Sequence, residues 1–116
     1  MALRDWLPMG AVPEVSPEDL RSELTGDEVQ LVDVRTGPEF RHSRIPRARH
    51  LPIQHFSRAA VEEARLDPRR PVVAICLSAH RSIPAVRRLR KMGYEARQLK
   101  GGMRAWWRAG LPTEKD

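Results

Sequence analysis

The chain is predicted to be an α/β protein, with a mainly parallel sheet and helices on both of its faces, by three observations. Short runs of strand character, VQLVDV at 29–34, VVAIC at 72–76 and YEARQL at 94–99, alternate along the chain with segments of helical character. VQLVDV is mostly apolar and β-branched without a polar alternation, as in strands covered on both faces. The connections between these runs are long enough to hold a crossover helix, and such crossovers are right-handed.

In chain order, residues 1–10 are expected to be a loosely held arm, and 11–116 one compact domain. Ser16 before Pro17, with Asp19 three residues after the serine, reads as an N-cap, a first-turn proline and an acidic first turn opening a helix that runs to Leu24. The strand 29–34 is broken by Thr36, Gly37 and Pro38, which lead to a short helix near Glu39 to His42. The chain turns at Ile45 and Pro46, and HLPI at 50–53 is a brief strand. Ser57 caps a helix, RAAVEEARL, that ends before Asp67 and Pro68. After VVAIC comes a helix from about Arg81 to Met92, with Ile83, Val86 and Leu89 on one side, Arg87, Arg88, Arg90 and Lys91 outward, and Gly93 at C′. Gly101 and Gly102 turn the chain from the strand 94–99 into a last helix, MRAWWRA, ended by Gly110 and Pro112.

At 116 residues, 41% hydrophobic and 31% charged, the composition fits one soluble globular domain. The apolar stretch at 72–77 is far shorter than a bilayer span, and the opening MALRDWLPMG has neither a cationic n-region nor a continuous h-region, so no membrane association and a cytoplasmic location are expected. One cysteine allows no internal disulfide and no thiol cluster for a structural zinc. The net charge of +6, carried mostly by arginine, favours anionic partners. The arginines alternate with acids and aliphatics, which describes a solvated surface and makes nucleic acid an unlikely partner.

The single cysteine stands at the carboxyl end of a strand, where ligands of open α/β sheets bind. Asp33 and Arg35 close the other strongly apolar strand and face the same crevice if the two strands are neighbours. Pro84 is tolerated only in a first helical turn, so Leu77, Ser78, Ala79 and His80 form a tight loop before the helix. The N–H groups of this loop and of the helix start lack intrahelical acceptors and can converge on negative charge above the sulfur. A helix N-terminus and nearby cations, here Arg81 and His80, favour the nucleophilic thiolate. The competing account is a small inert core residue.

LVDVR at 31–35, EF at 39–40, IPRA at 45–48, CLSAHRS at 76–82 and GGMRAWWRAGLP at 101–112 resemble, in order, the signatures of the rhodanese family of sulfurtransferases. The resemblance runs from about Val15 to Pro112. It implies a five-stranded sheet and a Cys76 that takes a sulfane sulfur from a donor, thiosulfate or a persulfide, and holds it as a persulfide. A thiol or cyanide then removes the sulfur, with no metal or organic cofactor needed; an acceptor protein in a sulfur relay is compatible with this, though nothing in the sequence selects it. Residues 77–82, ending in Arg81 and Ser82, match the family's active-site loop. Arg81 serves as charge support or as a bidentate brace to Asp33 or Glu39, while Asp33 and Arg35 match a DxR pair that supports neighbouring loops. Ser82 is read as a helix-start residue, and neither it nor His80 as a general base.

Three departures qualify this. Ala79 stands where the family commonly has glycine, which costs strain if the position needs positive φ. SRIPRA replaces GHIPGA, and its Arg44 and Arg47 would raise basicity near the crevice. Leu77 and Ser78 give the loop no cation, which disfavours thiosulfate as donor. Two other functions compete: a non-catalytic rhodanese-like module that binds a protein, and a phosphatase or arsenate reductase. The latter need a longer loop between cysteine and arginine than the four residues here.

Overall fold

The computed structural model describes residues 11–116; the expected N-terminal arm lies outside them. Its secondary structure runs β1 (Glu14–Val15), α1 (Pro17–Thr25), β2 (Gln30–Asp33), α2 (Gly37–His42), β3 (Arg49–His50), a 3-10 turn (Ile53–His55), α3 (Arg58–Glu63), β4 (Val72–Ile75), α4 (Ser82–Lys91), β5 (Ala96–Leu99) and α5 (Gly102–Arg108). The five strands form one sheet in the order β1-β5-β4-β2-β3, and every pairing is parallel. The condition for Asp33, Arg35 and Cys76 to share one end of the sheet is met: β2 pairs with β4, with Asp33 opposite Ile75.

Side-chain alternation along the central strand divides the core. Val73 and Ile75 point to a layer with Leu20 and Leu24 of α1 and Met103 and Trp106 of α5. Val72, Ala74 and Cys76 point to the opposite layer, with Val61 of α3 and Ala85, Val86 and Leu89 of α4. Cys76 is therefore placed by period two on the α4 side of the sheet.

Several boundaries differ from the sequence expectations. Strand β1 is too short to carry a periodic signal and exists through its partner, with Glu14 opposite Gln98 and Val15 opposite Leu99. Helix α2 begins at Gly37 because Thr36 and Glu39 close a capping box in which each side chain takes the other residue's backbone N–H; the expected break is a helix start. The expected strand 50–53 shrinks to 49–50, since Pro52 has no N–H for a ladder and the chain winds into the 3-10 turn. Helix α3 stops at Glu63, and Arg65 adopts φ 53° beyond it.

Candidate functional site: a buried thiol under an amide loop

Cys76 follows the last residue of β4, and the next five residues carry the chain over it to the start of α4. The carbonyls of Cys76 and Leu77 accept hydrogen bonds from the first turn of α5, from Met103 N at 2.8 Å and Arg104 N at 3.1 Å. In a trans peptide the N–H points opposite to the C=O, so the N–H groups of Leu77 and Ser78 face away from α5. Among the described residues, none of the N–H groups of Leu77, Ser78, Ala79, His80 and Arg81 meets a protein acceptor. The docking requires Gly102: its φ is +61°, and a Cβ there would overlap the Cys76 and Leu77 carbonyls.

Ala79 sits at φ 68°, the left-handed region that glycine adopts without penalty. The sequence expectation of strain at this position is met by the backbone, at a cost of about 1–2 kcal/mol.

The sulfur is more enclosed than the sequence suggested. Cys76 is 1% exposed and packs with Val32, Val34, Phe56, Ala85 and Val86. Among the described residues the one side-chain hydrogen-bond partner of the sulfur is the Ser82 hydroxyl, 3.3 Å from Sγ. Ser82 is completely buried and donates in turn to Gln98 Oε1 at 2.6 Å. Gln98 Nε2 donates to Glu14 Oε2 at 3.0 Å. Ser82 is thus more than a helix-start residue, and the Gln98 and Glu14 contacts have no signal in the local sequence.

Arg81 grips Glu39 with both ends of its guanidinium, at 2.7 and 2.8 Å. Glu39 also accepts from Thr36 N and Oγ1, both at 3.0 Å. The Arg81 guanidinium beside it, followed in effect by the Thr36 bonds, holds the Glu39 carboxyl down to about 2 from its ordinary 4.5, against an opposing push from burial. Asp33 is not the brace partner because its carboxylate is already filled. Arg35 Nε and Nη2 donate to it at 2.9 and 2.7 Å, Arg35 N adds a bond at 3.1 Å, and both residues are essentially inaccessible. Arg35 Nη2 also donates to the Ser43 carbonyl at 2.6 Å, so this pair ties the end of β2 to the end of α2. Asp33 and Arg35 face no open crevice; they lie sealed beneath it.

His80 is exposed and shares a 3.1 Å hydrogen bond with Ser78 Oγ. Arg44 does not raise the charge of the crevice. It lies over the Phe40 ring and pairs with Glu114 at 3.1 Å and Asp116 at 2.8 Å, so the C-terminal carboxylates neutralise it. Arg47, at φ 72°, donates to the Leu24 carbonyl and lines a depression with Asp27, Gln30 and Arg70 at the amino ends of the strands, opposite the loop. Trp106 packs in the core, and the exposed Trp107 donates to Ser43 Oγ, leaving both in structural roles. Among the described residues no helix is long and apolar enough to cross a membrane.

The rhodanese-like domain family matches residues 16–109 of this chain. A sulfurtransferase of Allochromatium vinosum is 40% identical over 103 residues, covering 87% of this chain and 94% of that protein. An uncharacterised Synechocystis protein is 36% identical over 102 residues, and there the match spans 87% of this chain but only 55% of the relative. Among solved structures, a Staphylococcus aureus rhodanese-like domain protein superposes with a TM-score of 0.74 at 26% identity, over 90% of this chain and 99% of that one. The parallel five-stranded sheet, the strand-end cysteine under its loop and this extended match together make the chain a member of the rhodanese-like domain family.

Proposed function

We propose that this protein is a sulfurtransferase that carries sulfur on Cys76. The observation that supports this most is the position of the only cysteine at the end of a central strand, under a loop of N–H groups without protein acceptors. Cys76 thiolate attacks the outer sulfur of the donor. The donor's S–S bond breaks, its electron pair leaves as sulfite from thiosulfate or as a thiolate from a persulfide, and Cys76 keeps the outer sulfur as Cys–S–S⁻. The free N–H groups of residues 77–81 stabilise that anion and the charge in transit. An acceptor thiolate or cyanide then attacks the outer sulfur, breaks the Sγ–S bond and returns Cys76 as thiolate. Donor and acceptor are each consumed in the cycle, so no oxidant or reductant enters.

In this reading Arg81 and Glu39 act as a brace across the mouth of the loop, and Asp33 and Arg35 as a support below it. Arg81 is committed to Glu39, and Leu77 and Ser78 are neutral, which favours a low-molecular-weight or protein persulfide over thiosulfate as donor. The cytoplasm, where such persulfides form among reduced thiols, is the compartment this chemistry fits.

Mass spectrometry of the chain after exposure to glutathione persulfide or thiosulfate tests the proposal. One added sulfur that is absent in Cys76→Ser and is removed by cyanide is expected; no adduct with either donor would overturn it. The 1% exposure of Cys76 favours a second reading, a rhodanese-like module that binds a protein without catalysis, and the same lack of adduct would leave that reading as the one to test. An aryl phosphate should give no Cys76-dependent turnover.

A further inference from the structure

Behind the sulfur, the α4 layer of the core holds a row of polar groups in an otherwise apolar setting. Gln98 lies opposite Glu14 in the β1–β5 ladder and is 4% exposed, and Ser82 at the start of α4 has no exposure. The row runs Glu14 Oε2, Gln98 Nε2, Gln98 Oε1, Ser82 Oγ and Cys76 Sγ, with separations of 3.0, 2.6 and 3.3 Å between residues. Its direction follows from what each group can do. A carboxylate only accepts, so Glu14 claims the NH₂ end of the Gln98 amide. That turns Oε1, which also only accepts, towards Ser82. The serine hydroxyl has one proton and gives it to Oε1, leaving only lone pairs for the sulfur. Cys76 can then complete the row only as S–H donating to Ser82.

We propose that Glu14, Gln98 and Ser82 form a polarised hydrogen-bond relay that holds Cys76 in its protonated, resting state. Ionising the thiol leaves a sulfur anion facing the lone pairs of Ser82. To stabilise it, the Ser82 hydroxyl must turn and donate to the sulfur, which strands Gln98 Oε1 unless the amide also reverses and gives up Glu14. The surface carboxylate on the edge strand thereby biases a buried thiol through two intervening side chains. Glu14 and Gln98 are positioning residues, since neither touches the sulfur. The relay opposes the loop amides and the Arg81 guanidinium, whose field reaches Cys76 although Glu39 pairs with it, so the thiol charges only when a ligand at the loop or a change at Glu14 shifts the balance. Its biological meaning rests on the sulfur-transfer reading.

The test is a pH titration of thiolate ultraviolet absorbance in the full chain, with the same titration of Cys76→Ser subtracted to remove the contribution of Tyr94. Gln98→Met removes the competing acceptor at similar volume. Thiolate should then appear about one pH unit lower than in the parent, about tenfold more thiolate at pH values below the midpoint. Glu14→Ala, at an exposed position where folding is secure, should shift the midpoint in the same direction by a smaller amount. In Ser82→Ala the relay is cut, and adding Gln98→Met should give no further shift. An unchanged or raised midpoint in Gln98→Met and Glu14→Ala, or a shift that persists without Ser82, would overturn the relay. No sulfur donor or acceptor enters the titration, so this proposal and the sulfurtransferase reading can fail separately.

Discussion

Gly102→Ala should unhinge the loop over Cys76, and the structure sets the size of the effect. The substitution places a Cβ where φ is +61°, a conformation that costs an L-residue about 1–2 kcal/mol. The same Cβ overlaps the Cys76 and Leu77 carbonyls, so the bonds from Met103 N and Arg104 N are lost or stretched. At about 0.5–1.5 kcal/mol for each bond, the total destabilisation is about 2–5 kcal/mol. For a domain of this size that lowers Tm by roughly 8–20 °C. Gly93→Ala is the matched control: φ is +98° there, but nothing lies within 4 Å of the added Cβ, so strain acts alone. Part of that strain is offset by the stiffer unfolded chain, leaving a loss of about 1 kcal/mol. Circular dichroism melts give the stabilities, and persulfide loading at low temperature gives the state of the loop. Gly93→Ala should load sulfur like the parent, while Gly102→Ala should lose loading under conditions where it is still folded. Equal melting temperatures and equal loading for the two variants would refute the claim that the α5 docking shapes the loop.

Ala79→Gly removes the positive-φ strain of about 1–2 kcal/mol but adds unfolded-state freedom of about 0.5–1 kcal/mol, so chemical denaturation should show a gain of roughly 0.5 kcal/mol. Glu39 is held at about 2 in the folded chain against 4.5 ordinarily, so its contribution is fully present above pH 4.5 and disappears as pH falls from there towards 2. Urea midpoints taken through that window should fall in the parent, and the fall should be shallower in Glu39→Gln; because the pair is about 30% exposed, the difference is on the order of 1 kcal/mol. Asp33→Asn leaves the Arg35 guanidinium buried without its counter-charge, and equilibrium unfolding should register a loss of about 3–5 kcal/mol.

The legible parts of this chain are those whose physics is local. β2 and β4 are apolar, β-branched runs between breakers, and α4 carries an apolar stripe and a closing glycine, so each can be placed from its own residues. Thr36 and Glu39 were equally readable as a capping box, but Gly37 and Pro38 between them resemble a break, although proline in a first turn is compatible with a helix. β1 was not legible because two residues have no period; only the exposed edge of β5 makes them a strand. The cysteine loop was visible as a boundary between strand and helix, while the depth of the sulfur was not. Burial of Cys76 depends on packing from β2, α4 and the segment at Phe56, and the Gln98 that orients Ser82 reads in the sequence as an outward polar residue. The Arg81 partner was left between two carboxylates for a similar reason: the choice falls to Glu39 because Arg35 fills Asp33, a fact that requires three dimensions.

The neutral side chains of Leu77 and Ser78, the engagement of Arg81 with Glu39 and the enclosed sulfur have a common physical consequence. A side-chain cation beside the sulfur would stabilise every anion there equally, whether thiolate, persulfide or a bound oxyanion. Backbone N–H groups on a docked loop are directional, and their stabilisation depends on where the charge sits. The α5 N-terminus fixes the Cys76 and Leu77 carbonyls, so the N–H groups that follow them are aimed before any ligand arrives. The hydroxyl of Ser82, oriented by Gln98, meets the inner sulfur with lone pairs. In the proposed relay a charge on Sγ is disfavoured from the Ser82 side, whereas a persulfide would carry its charge one atom further from Ser82. On the sulfur-transfer reading, the arrangement separates the two sulfur anions by position, and that separation, more than any general lowering of the energy of negative charge, is what would let one atom of sulfur be held and then released.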